Sequence, residues 1–191
     1  MFKKLLSLLI LTIFILIGPL VSESRAAHGI DGTVYLKVNI HYQVHAHDNK
    51  ASYSNWTNPG AGHMILPVNT PVKIKKWRRK GFIIVNTKDN TEIIFEYHKG
   101  RMQMSIEEYL RHITSPTEVS LDNLSHKDKK GVKEGVADIG MTKNGVMTAL
   151  GYPAAHRTPS LDSNTWTYWT NRFGTYVISF DENGIVTKIE D

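Results

Sequence analysis

The chain has 191 residues, 23 basic and 18 acidic side chains for a formal charge of +5, and no cysteine. That length allows one domain or two small ones, and the absence of cysteine excludes disulfides, thiol catalysis, thiolate metal sites and a lipid-modified N-terminal cysteine. No G-x-S-x-G, H-E-x-x-H or glycine-rich phosphate loop occurs, so we expect neither an enzyme nor a cofactor.

At the start, Lys3 and Lys4 precede an apolar run over residues 5–21, broken by Gly18 and Pro19 and followed by the small residues Ser24 and Ala26. This is signal-peptide order and predicts an exported protein cleaved after Ala26; the run is also at the lower limit for a membrane anchor. Without residues 1–26, 20 basic and 17 acidic residues remain. Residues 27–130 hold 15 basic against 10 acidic groups and residues 131–191 hold 5 against 7, which predicts two modules of different charge.

The first module is expected over residues 30–115. Val34, Leu36, Val38, Ile40, Tyr42, Val44 and Ala46 alternate with Tyr35, Lys37, Asn39, His41, Gln43 and His45, which predicts one long strand with one buried face. The segments "MILPV", "PVKIKKW", "GFIIVNT" and "TEIIFEY" follow, punctuated at residues 69–71, 79–81 and 89–90. Their spacing predicts a small antiparallel β-sheet or an SH3-like barrel. Ser105 and Glu108 make a capping box, Met104 and Tyr109 occupy staple positions, and Ile106, Tyr109, Leu110 and Ile113 form an apolar stripe, so a helix closes the module before Pro116. Residues 116–135 read as a charged linker.

The second module is expected over residues 136–191. Thr142 is placed to cap a helix whose apolar face is Val146, Met147 and Leu150, with Gly151 and Pro153 ending it. Strands are predicted near 164–170 and 174–180. A hairpin at "DENG" then puts Tyr176, Ile178 and Phe180 on one face with Ile185, Thr187 and Ile189. The expected class is α+β, with the helix packed on one face of an antiparallel meander. "GMTKNGVMTALGYP", "NTWTYW" and "YVISFDENGIVTKIED", in that order over about residues 131–191, resemble the SmpA/OmlA (BamE-like) domain. The resemblance implies a non-catalytic module of the bacterial cell envelope, periplasmic or peripheral to the outer membrane. It also implies a protein partner, β-barrel assembly components among the candidates.

Three groups of residues are candidate sites. On the 165–169 strand, Trp166 and Tyr168 point one way while Thr165, Thr167 and Trp169 point the other, and one helix covers only one set. The second set is covered by the first module or by the loop at Pro159. Otherwise it is an exposed partner-binding patch of Trp166, Tyr168, Trp169, Asn171, Arg172 and Phe173, centred on the last four. In "KIKKWRRKG", Lys73, Lys75, Lys76, Arg78, Arg79 and Lys80 surround Trp77. This is a candidate surface for anionic lipid or wall polymer, or else a solvated hairpin tip; nucleic acid is set aside because of the export signal. In "HYQVHAH", His41 and His45 on one strand face stand about 13 Å apart at ~3.3 Å per residue, too far to share an ion. His45 and His47 are closer, with His63 or Asp48 as further ligands, but solvated polar-face histidines are the expectation and no metal site is assigned.

Overall fold

The computed structural model describes residues 32–76 and 81–191. The expected signal peptide, residues 1–26, and Trp77, Arg78, Arg79 and Lys80 of the basic cluster lie outside the described residues. Among the described residues, no helix is long and apolar enough to cross a membrane.

The expected long strand is broken in two, β1 (Val34–Leu36) and β2 (Ile40–Val44). β3 (Asn49–Ser52), β4 (His63–Leu66), β5 (Pro71–Lys76), β6 (Gly81–Asn86) and β7 (Glu92–Glu96) follow, then a short helix α1 (Lys99–Met102), the helix α2 (Ile106–Ile113) and the two-residue strand β8 (Thr114–Ser115). The eight strands form one sheet in the order β4-β2-β3-β7-β6-β5-β1-β8, antiparallel except where β3 runs parallel to β7. Because β1 and β2 are consecutive in the chain yet lie near opposite ends of the sheet, the break at residues 37–39 bends the sheet round on itself into a half-barrel.

The physical reason for the break is Asn39, which alternation places on a polar outer face but which is 1% exposed. Its backbone N–H donates to the Thr148 carbonyl at 2.8 Å. Its Nδ2 donates to the carbonyls of Val132 (2.7 Å) and Ala149 (3.2 Å), and its Oδ1 accepts from the Val68 N–H at 2.9 Å. An amide so fully satisfied costs little to bury, and it ties the first half of the chain to helices of the second.

Inside the half-barrel, Phe82 and Phe95 stack at 4.7 Å between ring centroids, and Tyr109 of α2 lies across both at 6.4 and 5.5 Å. The helix is held by a complete capping box, in which the Glu108 N–H donates to Ser105 Oγ (3.1 Å) and the Ser105 N–H donates to Glu108 Oε2 (2.7 Å). Ser105→Ala should therefore cost about 1 kcal/mol. It should lower the thermal midpoint by ~2–4 °C, read by circular dichroism; an unchanged midpoint would mean the cap contributes nothing.

The segment expected as a charged linker contains a third helix, α3 (His126–Glu134). It ends at Gly135, a left-handed C-cap (φ +68°), a backbone conformation that favours glycine, and a Cβ there would stand 2.1 Å from Ile65 Cδ1, which would have to shift. Then come α4 (Lys143–Leu150) and a three-stranded antiparallel sheet of β9 (Thr165–Trp169), β10 (Thr175–Phe180) and β11 (Val186–Glu190), in the order β11-β10-β9. Val146, Ala149 and Leu150 of α4 share a buried cluster with Trp166, Tyr168, Ile178, Phe180 and Val186.

These observations correct the expected fold class. The chain is mostly β, with four short helices making up 19% of it among the described residues; it is neither a small antiparallel sheet or SH3-like barrel nor a BamE-like helix on a meander. The first sheet has eight strands and is mixed because β3 meets β7 in parallel. The second sheet is extended from outside by the first half: Trp56 bridges to Trp169 in parallel fashion, with the Thr57 N–H on the Trp169 carbonyl (2.9 Å) and the Asn58 N–H on the Thr170 carbonyl (2.9 Å). The hairpin face also differs from expectation. Phe180 pairs with Val186 and Ser179 with Lys188, so Thr187 is the extra residue of a bulge and Val186 takes the buried place.

Candidate functional site

A groove of about 990 Å³ opens where the two sheets meet. One wall comes from the half-barrel: Tyr53 just after β3, Trp56 in the following turn, Glu96 at the end of β7 and Arg101 in α1. The other is the end of β9 and its turn: Trp169, Asn171, Arg172 and Phe173.

Local chemistry holds each part in place. The turn between β9 and β10 is clamped by Asn171, whose Oδ1 accepts from the N–H groups of Phe173 (2.8 Å) and Gly174 (2.9 Å), while the Thr170 N–H donates to the Gly174 carbonyl at 3.0 Å. This Asx turn holds Phe173 out in water, 88% exposed, the most exposed of the large apolar residues described. The Arg172 guanidinium carbon lies 5.8 Å from the Phe173 ring centroid. On the opposite wall, Arg101 Nη1 donates to the Tyr53 hydroxyl at 2.6 Å. The Arg101 carbonyl accepts from the His156 N–H at 2.8 Å, and the His156 ring stacks on Trp169 at 5.4 Å. Burial lowers the His156 pKa, and the nearby Arg101 charge pushes it the same way, so the positive charge here belongs to arginine.

The aromatic strand divides its residues between the interior and the groove. Trp166 (1% exposed) and Tyr168 (0%) are core, which removes them from any partner surface. Tyr168 donates its hydroxyl proton to the Gly151 carbonyl at 2.9 Å, and Trp166 meets Phe180 edge-on at 4.9 Å. Trp169 is half-buried against the first half of the chain but keeps a side in the groove, and Asn171, Arg172 and Phe173 join it there. Sequence reasoning missed Tyr53, Trp56, Glu96 and Arg101. The available signal was two aromatics inside the polar turn segment "YSNWTNPG", where a core has no obvious use for them.

The basic cluster is only partly described. Lys73 and Lys75 are exposed on β5, alternating with buried Val72 and Ile74, and Lys75 Nζ pairs with Glu92 Oε1 at 2.5 Å. Lys76 is the last residue of that strand.

The histidines depart from expectation. His41 is not on a solvated face: it is 3% exposed and stacks on His63 with the ring planes 8° apart. Its Nε2 faces the Ala149 carbonyl at 2.8 Å and its Nδ1 faces His63 Nε2 at 3.0 Å. A carbonyl only accepts, so His41 carries its proton on Nε2 and, being neutral, accepts at Nδ1 from His63. His45 and His47 are exposed, and no group of three or more histidine, aspartate or glutamate side chains that would hold a metal ion occurs among the described residues.

No family model matches the chain, and comparison with curated proteins and with solved structures gives no match.

Proposed function

We propose that this chain is an exported, non-catalytic binding protein of the cell envelope whose groove between the two sheets holds a segment of a partner protein. The observation that carries this reading is Phe173, a large aromatic held almost fully in water by a rigid turn at the mouth of a groove lined by Trp56, Trp169, Tyr53 and two arginines. A single exposed aromatic is ordinary, but one grouped with other aromatics in a groove rimmed by polar residues marks an interaction site, and tryptophan, tyrosine and arginine are the residues that carry most binding energy at protein interfaces. Export rests on the order of charged, apolar and small residues at the N-terminus. The basic β5 segment supports a lipid- or wall-binding role less well, because the Lys75 charge is already matched by Glu92.

The test is photo-crosslinking in intact cells from a probe at position 45, an exposed position in the groove lining that leaves the aromatic and arginine side chains in place, with adducts identified by mass spectrometry. We expect one recurrent envelope protein, and at least tenfold less adduct when Phe173→Ala is added. Phe173 is too exposed for its loss to unfold the chain. A probe that captures nothing, or adducts indifferent to Phe173, would reject the groove as the binding site.

A further inference from the structure

We infer that the groove selects a partner segment in which a carboxylate stands beside an aromatic or large apolar side chain, a deepening of the binding reading above that rests on it. Lys50, also in the groove lining, is already paired with Asp48 at 3.3 Å, and Lys75 and Lys188 pair with Glu92 and Glu190. Among the described residues neither Arg101 nor Arg172 has a carboxylate within salt-bridge distance. Each instead meets an aromatic ring: Arg101 lies 5.9 Å from the Tyr53 ring centroid and donates to its hydroxyl, and Arg172 lies 5.8 Å from the Phe173 centroid.

A guanidinium over a ring is pre-positioned, keeps its remaining N–H donors free, and matches a carboxylate with two parallel bonds. The two rings are also apolar walls, so a ligand that meets the arginine meets an aromatic at the same time. Trp56 and Trp169 continue the apolar lining between them.

The same lining limits how acidic the ligand is. Glu96 faces the groove without a cation partner among the described residues, and Asp48 stands beside Lys50. A run of like charges would meet this repulsion where it passes Glu96. Single-stranded nucleic acid, which also uses arginine and aromatic rings, needs a groove whose cations track every phosphate, and among the described residues this one offers two free guanidiniums. A peptide with isolated carboxylates among apolar residues fits both facts.

Trp56 and Trp169 line the groove, so their fluorescence reports occupancy. The full chain would be titrated with a capped hexapeptide alternating aspartate and phenylalanine, with counterparts replacing aspartate by lysine or phenylalanine by alanine, and with oligothymidylate of similar length. We expect the aspartate–phenylalanine peptide to bind about tenfold or more tightly than either counterpart. Arg101→Gln and Arg172→Gln should each weaken it about three- to tenfold, and raising salt from about 0.05 to 0.5 M should weaken it too. Equal binding of the lysine peptide, tighter binding of oligothymidylate, or no binding of any probe would overturn this inference. If that happens while the position-45 crosslink still depends on Phe173, the binding reading stands and only its chemistry is wrong; if the crosslink is also absent, both fall.

Discussion

Gly145→Ala is expected to destabilise the protein by about 3 kcal/mol, although the same change inside a helix ordinarily stabilises by ~1 kcal/mol. The reversal comes from Asp128. That carboxylate is wholly buried beneath α4, and a Cβ at position 145 would stand 2.0 Å from its Oδ1 and 2.4 Å from its Cγ. Asp128 has little freedom to move aside, because it accepts from the Thr142 N–H (2.7 Å), the Thr142 hydroxyl (3.1 Å) and the Ser125 N–H (3.0 Å). It therefore caps α3 through its own box with Ser125 and at the same time fixes the first turn of α4. Displacing it strands two backbone donors, each costing about 1–3 kcal/mol where water cannot reach.

Asp128→Ala should lose a similar amount, about 3 kcal/mol by the same reasoning. The double variant should recover only part, because the Cβ of residue 128 would itself lie 2.7 Å from the new methyl group. Urea unfolding at pH 7 of the three variants reads this directly. A Gly145→Ala protein more stable than the parent would show that α3 and α4 do not meet as described.

Stability should also fall by about 2 kcal/mol between pH 7 and pH 5, from His41. Burial is the main cause that lowers its pKa to about 4, with the neighbouring His63 acting in the same direction, against 6.5 for the unfolded chain. The unfolded state therefore takes up a proton near pH 6.5 while the folded state does not until about 4. The stabilisation is fully present above 6.5, lost progressively as pH falls, and exhausted near 4, for about 3 kcal/mol in all. His63, His112 and His156 are lowered too, chiefly by burial, and add smaller losses of the same sign. Backbone N–H groups of Thr91 and Ser105 hold the carboxyls of Asp89 and Glu108 below their usual range, so these titrate at lower pH.

His41→Gln keeps a donor for the Ala149 carbonyl but removes the titration. It should be less stable than the parent at pH 7 and lose clearly less stability than the parent down to pH 5, the remaining loss coming from His63, His112 and His156. A parent whose unfolding free energy does not change over that interval would mean that His41 is hydrated in solution. His41 in β2 and Asn39 just before it both make buried polar contacts to the Ala149 carbonyl of α4, so acid weakens the junction of the two halves first.

Much of the local structure follows from short-range pattern. The capping boxes at Ser105 and Ser125, the Thr142 cap and the buried alternation of Tyr176, Ile178 and Phe180 are properties of a few neighbouring residues, and such patterns state which groups a segment satisfies by itself. One was overlooked: Ser125 and Asp128 spell a capping box inside a segment whose charge suggested a linker, and aspartate at that position looks solvated until Thr142 is known to lie beside it. The bulge at Thr187 was equally invisible, since one extra residue in a strand leaves no mark on an apolar–polar count.

By itself the amino-acid sequence determined the absence of thiol chemistry, the most regular helices and strands, and the aromatic richness of residues 166–173, because these depend on residue identity and near neighbours. Only the tertiary structure decided that the two halves share a junction, that Asn39 and His41 are interior groups, and that Trp166 is core while Phe173 stands in water. The physical reason is that burial of a polar or aromatic side chain depends on what arrives from far along the chain. Thr148 and Ala149 reach residues 39 and 41 across more than a hundred positions, and Trp56 and Thr57 reach Trp169 across about as many. The groove exists only where those distant segments meet.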